Sequence, residues 1–377
     1  MRLSEEFRRF PSHWDVLPFG QAVKDATSGN EKIQKGEYLD SGDFPIVDQG
    51  QSLYGGFTNN KDSICKSELP TIVFGDHTRA FKYIEEPFAL GADGAKVLEP
   101  LVQLDKRFLF HYLKQLKIAS AGYSRHFKFL KQTYIPVPPL HEQKRIATIL
   151  DKADAIRRKR QQAIQLADEL LRSVFLDMFG DPVTNSKGWK TSRVDTVCKI
   201  VRGSSPRPKG DPRYYGGSVP RLMVADLTRD GKFVTARIDF LTEDGAKKSR
   251  PTKKGTVVMA VSGNVGLTSI LAADACIHDG FVAFNDLDSS IVLPEFLQEM
   301  MTHLKSTHTS RQAGAIFQNL TTSQIKEMSI PIPDIHLQEK YLDTAKKVDE
   351  GVMRKWSLCS RYDLLGSLSE QLFSKGL

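Results

Sequence analysis

The longest regular feature of the chain is a set of apolar residues spaced by threes and fours: Ile146, Ile149, Ala153, Ile156, Ala163, Ala167, Leu170 and Val174, with Arg160 at the one polar step. That is the period of a coiled-coil seam. It predicts one helix from about Leu140 to Phe179, roughly 60 Å long at the rise of an α-helix. Gly180 and Pro182, in "FGDP", end it. A second stripe, less regular, runs through Tyr341, Ala345, Val348, Val352, Cys359, Leu365, Leu368 and Leu372, with Gly351 and Gly366 inside it. Each stripe has to be buried. Two readings stand: the helices pack on each other, or each packs on its own neighbouring domain.

Both helices open on the same phrase. "YIPVPPLHEQKRIATIL" starts at Tyr134 and "SIPIPDIHLQEKYLDTA" at Ser329. Ile135/Ile330, Pro136/Pro331, Pro138/Pro333, His141/His336 and Gln143/Gln338 are identical, while Val137/Ile332, Leu140/Ile335 and Arg145/Lys340 are conservative pairs. Proline fixes φ, removes a donor and drives the preceding residue into extended geometry. I-P-x-P is therefore an extended strip that closes a domain, and proline is then tolerated where the helix begins. Two further echoes agree. "SHWDVLPFG" at Ser12 resembles "KGWKTSRVD" at Lys187, anchored on Trp14 and Trp189, and "AGYSRHFKFL" resembles "AGAIFQNL". The chain thus reads as block, helix, block, helix. The expected divisions are an N-terminal segment 1–13, a first block 14–139, a spacer helix 140–180, a second block 181–333 and a second spacer helix 334–377.

The blocks read as α+β. Short β-rich runs, "TIVFG", "KGTVVMAVSG" and "GFVAFN", lie between Gly, Asp and Asn turns. Helices are expected from Asp105 to about Ile118 and from Pro294 to Leu304. Charge is uneven. Between Val201 and Lys254 there are 13 Lys/Arg against 6 Asp/Glu, a net +7 in a chain of net +8. Such basic loops suit a polyanion, because cations neutralise phosphates while Arg, Gln and His reach base edges. Candidate contacts in the first block are Arg125, His126, Lys128 and Lys131. In the second they are Arg202, Arg207, Lys209, Arg213, Tyr214 and Gln318. Four cysteines lie far apart with no CxxC pair, which fits a reduced compartment and gives no zinc site. "MRLSEEFRRFPSHW" has no apolar core, and no apolar run reaches membrane-spanning length, so a cytoplasmic protein is expected.

Catalytic motifs are missing. "HEQKR" at His141 lacks the second histidine of HExxH, and its copy has Leu337 in place of Glu142. Both histidines read as helix-start residues with local hydrogen bonds. "PDIHLQEK" mimics a carboxylate–lysine nuclease cluster at Asp334, Gln338 and Lys340, but its copy has no Asp. No phosphate loop or nucleophile elbow occurs. No catalytic or metal-binding residue is assigned.

Two unlike blocks, each closed by I-P-x-P and H-x-Q before a long helix, with Trp14/Trp189 starts and a "FGDP…GW" link, resemble the specificity subunit of type I restriction–modification systems. The resemblance spans the whole chain, more closely in the first copy. It implies two tandem target recognition domains separated by two helices that pair as an antiparallel coiled coil about a pseudo-twofold. It implies that each domain reads one half of a bipartite, asymmetric double-stranded DNA site. The helices, with Ile146, Ile149, Ile156, Leu170, Val348, Val352 and Leu365 as their spacer and partner-binding residues, would set the unread gap, six or seven base pairs by groove geometry, and would dock two methyltransferase subunits. S-adenosylmethionine would belong to those partners, with no cofactor in this chain, and motor–endonuclease subunits would join for restriction. Competing readings are a stand-alone DNA-binding regulator and an enzyme using the Asp334, Gln338, Lys340 cluster.

Overall fold

The computed structural model describes residues 10–92, 94–118, 122, 124–310, 320–356 and 364–375. The first block runs β1 (Asp15–Pro18), α1 (Phe19–Ala22), β2 (Val23–Asp25), β3 (Lys32–Ile33), β4 (Phe44–Val47), β5 (Gly56–Thr58), β6 (Thr71–Gly75), β7 (Phe81–Ile84), β8 (Ala89–Gly91), β9 (Ala95–Pro100), α2 (Lys106–Gln115), α3 (Phe127–Leu130) and β10 (Tyr134–Val137). It passes into α4 (Leu140–Phe179), which covers the whole range its periodicity predicts. Gly180 stops this helix in a left-handed turn, φ +77°, while its N–H still reaches the Leu176 carbonyl at 2.9 Å.

The second block runs β11 (Thr191–Arg193), α5 (Val194–Val197), β12 (Lys199–Arg202), β13 (Tyr215–Leu222), α6 (Val224–Asp230), β14 (Phe233–Val234), β15 (Asp239–Leu241), α7 (Glu243–Lys248), β16 (Arg250–Thr252), β17 (Val257–Ala260), β18 (Thr268–Leu271), β19 (Ala275–Ile277), β20 (Phe281–Asn285), α8 (Pro294–Ser310), α9 (Thr322–Glu327) and β21 (Ser329–Pro331). Two helices follow, α10 (Ile335–Trp356) and α11 (Leu364–Lys375).

The blocks share one wiring. Each has a larger antiparallel sheet, β2-β9-β6-β7 in the first and β12-β20-β17-β18 in the second, where β14 adds a parallel edge. Each also has a smaller mixed sheet, β3-β8-β4-β5 or β15-β13-β19-β16. In both small sheets the two central strands are parallel, β4 with β8 and β13 with β19. The outer strand differs: β3 is parallel to β8, while β16 is antiparallel to β19. The additional length of the second block falls partly between β13 and β15, where α6 and β14 replace the bare loop between β4 and β5.

Each I-P-x-P strip is a strand. β10 pairs antiparallel with β1, Asp15 opposite Val137, and β21 pairs antiparallel with β11, Thr191 opposite Pro331. First and last strands of a block thus lie side by side. A fully buried glutamine locks each closure. Gln143 Nε2 donates to the carbonyls of Pro138 (2.7 Å) and Gln103 (3.0 Å), and its Oε1 accepts from the Asp105 N–H (2.7 Å). Gln338 repeats this with the Pro333 and Ile291 carbonyls (2.9 Å each) and the Leu293 N–H (3.0 Å). The third contact in each set lies just before α2 or α8.

By packing, the chain forms two compact units, 1–162 with 356–377, and 163–355. The division falls inside α4. Its first turns, Ile146, Ala147 and Leu150, are buried in the first block's core with Trp14, Phe108 and Ile135. Its last turns, Phe175 and Phe179, are buried in the second block's core with Phe296, Tyr341 and Ala345. Leu372 and Phe373 of α11 complete the first core, Phe373 against Phe108 and Tyr112 with ring centroids 5.5 and 5.4 Å away. The two readings offered above thus combine: at each end α4 meets a C-terminal helix, Phe175 and Phe179 lying 5.4 and 5.7 Å from the Tyr341 ring of α10 and Ile146 and Leu150 sharing a core with Leu372 and Phe373 of α11, and each meeting is closed by a block. Of its two expected roles, spacer and partner-binding, Ile146 can keep only the first, since it is closed inside a core and not available to a partner subunit, and Ile149 packs partly against the same core. Ile156 and Leu170, 44% and 51% exposed, remain open. Val348 and Val352 are half-buried, and the Leu365 side chain lies outside what the structure describes.

Candidate nucleic-acid interface

In the second block the strongest candidate is the loop 203–214, which leaves the large sheet at β12 and enters the small sheet at β13. Both its ends are clamped. Gly203 lies so close to the chain at His278 that a Cβ would meet that carbonyl at 2.1 Å. The Ser204 N–H reaches the Ile277 carbonyl (3.1 Å), and Ser249 Oγ donates to the Ser204 carbonyl (2.8 Å). At the far end Thr242 holds the Arg213 carbonyl through Oγ1 (2.6 Å) and the Tyr214 carbonyl through its N–H (3.0 Å). Tyr215 ties the loop across its middle by donating to the Pro206 carbonyl at 2.8 Å.

Between the clamps Arg207, Lys209 and Arg213 are exposed. Arg207 pairs with Asp279 at 3.4 Å, and Arg202 donates from Nε to the Asp279 carbonyl at 3.1 Å. Arg213 grips Asp211 at 2.6 Å and lies 5.4 Å from the Tyr214 ring. The Arg213 hydrogen bond holds the Asp211 carboxyl below the usual carboxylate range. Lys248 also lies over Tyr214, 4.4 Å from its centroid, with its Nζ 2.8 Å from the hydroxyl. Arg213, Tyr214, Asp244, Lys247 and Lys248 together line an open cleft of about 440 Å³. Exposed ion pairs of this kind contribute little in water, so the cations remain available to phosphates. The predicted group Arg202, Arg207, Lys209, Arg213 and Tyr214 is thus brought together on one loop and its base. Gln318 lies outside the described residues.

In the first block Arg125, Lys128 and Lys131 are exposed around α3. Lys128 lies over the Phe129 ring and Lys131 over the Phe127 ring, at 4.9 and 5.0 Å. His126 corrects the expectation: it is 1% exposed, with Nδ1 2.9 Å from the Asp76 carbonyl. The Asp76 carboxylate meanwhile accepts from the Phe127 N–H at 2.7 Å. Its ring is spent on holding α3 to the end of β6 and is not presented to a partner.

Sequence reasoning also missed a segment. In the shared wiring, the counterpart of 203–214 is 26–43, between β2 and β4, where Lys32 and Lys35 are exposed. The signal was present: Lys35-Gly36 precedes the strand proline Pro45 much as Lys209-Gly210 precedes Pro220.

The motifs that imitate catalysis serve the frame. Glu142 of "HEQKR" accepts from Trp14 Nε1 at 3.0 Å and pairs with His13 at 3.1 Å. In the second copy, where Leu337 replaces Glu142, Trp189 Nε1 donates to the Phe179 carbonyl at 2.9 Å. His141 is exposed, and His336 makes only a local contact, 3.3 Å to Glu339. Gln338 is consumed by the closure of its block, so Asp334, Gln338 and Lys340 form no shared site. Among the described residues no group of three His, Cys, Asp or Glu is placed to hold a metal.

Residues 11–166 and 186–355 each match the type I restriction modification DNA specificity domain. The chain belongs to that family. Its two domains are tandem recognition domains of a DNA-specificity subunit, a subunit that carries no catalysis itself, since methylation and cleavage reside in partner subunits. Such subunits act with DNA and with methyltransferase and restriction subunits. Among relatives, the specificity subunit of the type I enzymes EcoR124I/EcoR124II from Escherichia coli is 21% identical over 357 residues, covering 88% of this chain and 86% of its own. The MjaVIII specificity subunit of Methanocaldococcus jannaschii is 20% identical over 375 residues, covering 90% and 87%. The crystal structure of the type I S subunit from M. genitalium shares the fold, with a TM-score of 0.62 at 16% identity over 99% of this chain and 98% of that one. Among the described residues no helix is long and apolar enough to cross a membrane.

Proposed function

We propose that each block of this specificity subunit reads one half of a bipartite, asymmetric DNA site, and that the helical segments fix the unread gap between the halves. In the second block reading falls to loop 203–214. In the first it falls to Arg125, Lys128 and Lys131 around α3, with Lys32 and Lys35 on the counterpart loop. Two methyltransferase subunits, carrying S-adenosylmethionine, dock along the helices, and motor–endonuclease subunits join for restriction in the cytoplasm. The observation that carries this reading is the pairing of one repeated frame with two different interiors. Identical closures at β1–β10 and β11–β21 hold blocks whose basic loops differ in length and sequence. The stretch of α4 between its two buried ends keeps Ile156, Leu166 and Leu170 exposed, an apolar face suited to a protein partner.

The test is a graft. Replacing residues 14–139 with another recognition block should change one half of the methylated site and leave the other half and the gap as they were. A change in both halves would defeat the modular reading. Removing four residues from the middle of α4 should alter the gap by about two base pairs, since four residues span about 6 Å and DNA rises 34 Å in roughly ten base pairs. The cut must avoid Ile146, Leu150, Phe175 and Phe179, which belong to the block cores.

A further inference from the structure

The central strands of the two small sheets match in register. Ile46 lies opposite Gly56 on β5 and beside Ala89 on β8. The same position in the second block is Arg221, opposite Asp239 on β15 and beside Cys276 on β19. The neighbouring prolines agree as well, Pro45 opposite Phe57 and Pro220 opposite Phe240. The first block therefore builds this sheet with no charge at either place.

The second block instead buries a guanidinium, its side chain 8% exposed. Arg221 Nη1 donates to Asp239, Nη2 donates to Ser205 Oγ at 3.2 Å, and the group lies 5.4 Å from the Tyr215 ring. Its Nε makes no hydrogen bond. Taking an ion pair out of water is costly, and apolar residues of similar volume commonly serve stability as well or better. Ile46 and Gly56 show that the first block forms the same sheet without the charge. The charge needs another reason.

Its contacts lead to the loop. Ser205 passes the interaction on by donating from Oγ to Asp279 at 2.5 Å, and Asp279 holds Arg207 through its carboxylate and Arg202 through its carbonyl. Tyr215, beside the guanidinium, holds Pro206. Asp239, Arg221, Ser205, Asp279 and Arg207 thus form a chain from the sheet interior to the exposed tip. We propose that Arg221 is a positioning residue for DNA selection: it holds the base of loop 203–214 in one arrangement so that Arg207 and Lys209 meet the duplex already oriented. This deepens the reading above and rests on the second block selecting one half-site. A fixed loop gives up little conformational freedom on binding, and a base-reading arginine discriminates only when its fork is aligned.

The test selects bound sequences from a randomised duplex pool with the full-length chain, comparing the unaltered protein, the double variant Arg221→Ile/Asp239→Gly and the single variant Ser205→Ala. The double variant installs the first block's own residues. It should fold with a thermal midpoint within a few degrees of the parent, yet lose about tenfold in discrimination at one half-site while the other half is selected as before. Ser205→Ala, which cuts the link and leaves the buried pair intact, should lower discrimination at that same half. Unchanged discrimination in both variants would overturn the proposal, and so would failure of the double variant to fold, because the charge would then serve the sheet. If the unaltered chain enriches no sequence at all, the half-site reading itself fails and takes this inference with it.

Discussion

The two blocks keep in common what is fastened to main chain and differ in what is fastened to side chains. Gln143 and Gln338 each bond two carbonyls and one N–H of the backbone, and the two sets of contacts correspond one for one. Trp14 and Trp189 also correspond, yet one donates to a glutamate side chain and the other to a helix carbonyl. Ile46 and Arg221 stand at one register position and share no chemistry. A backbone partner is the same whatever residue provides it, so a glutamine that needs only backbone can stay while everything around it changes. A side-chain partner has to change together with its mate. The contrast explains how one frame tolerates two interiors.

The largest expected effects test whether the blocks are separate in stability. Phe373→Ala empties a fully buried ring position in the first core and Phe175→Ala does so in the second. Each should cost about 3–5 kcal/mol. In urea titrations followed by limited proteolysis, the first should expose block 1 to cleavage and the second block 2. Phe373→Ala opening block 2 first would contradict the division into units. Next in size, Gln143→Ala and Gln338→Ala each leave buried main-chain groups unpaired, about 2 kcal/mol apiece. Equal losses in chemical denaturation are expected, and a clear inequality would mean that matching geometry hides unequal roles.

Smaller effects sharpen the comparison of the loops. Lys209→Ala removes an exposed cation and should reduce the slope of log affinity against log salt by about 0.9. Arg213→Ala should reduce it by a similar amount, because its exposed pairing with Asp211 is weak in water and leaves the guanidinium available to phosphate. Lys35→Ala should behave like Lys209→Ala if the two loops are counterparts. The smallest effect concerns α4 and pH. Burial raises the Asp154 carboxyl, but the Arg157 hydrogen bond and the Lys114, Arg157 and Arg158 charges outweigh it and leave it lowered. Its stabilisation is present above the unfolded value near 3.8 and fades as pH falls through the lower folded value. Within the other unit, Asp168 is raised by burial and then by the charges of Asp349 and Glu299, and Asp349 is raised by burial and by Glu299 against the opposing charge of Lys232. Their contribution is greatest at low pH and is lost as pH rises through the folded values above 3.8. Thermal midpoints between pH 3 and 7 should therefore shift in opposite senses for Asp154→Asn and Asp349→Asn.

Much of this was legible in the sequence. The period of α4 and its stop at Gly180 are local facts, and so are the two proline strips, because proline constrains its own backbone. The burial of His126 was not legible, since it depends on Asp76 at the end of β6, fifty residues earlier. The attention drawn by His141 and His336 belonged to the glutamines two residues on, whose partners at Gln103, Asp105, Ile291 and Leu293 no local pattern announces. Arg221 sat unnoticed in a strand that also carries Pro220, and only its register against Asp239 and the counterpart pair Ile46 and Gly56 gives it meaning. Seam periodicity marks an apolar face but not where each of its turns is buried, because a stripe specifies a face and not the surface that covers it.

The place of Phe373 has a consequence for synthesis. Domains ordinarily complete themselves in the order in which they leave the ribosome, at about 5–20 residues per second. Block 2 has all of its unit once residue 355 has emerged, whereas block 1 still waits for Leu372 and Phe373 to fill its core. Between the emergence of β10 and that of Phe373 lie about 10–50 s at those speeds. The half of the protein made first is thus the half finished last, and a nascent chain interrupted after block 2 carries one completed reader and one still open.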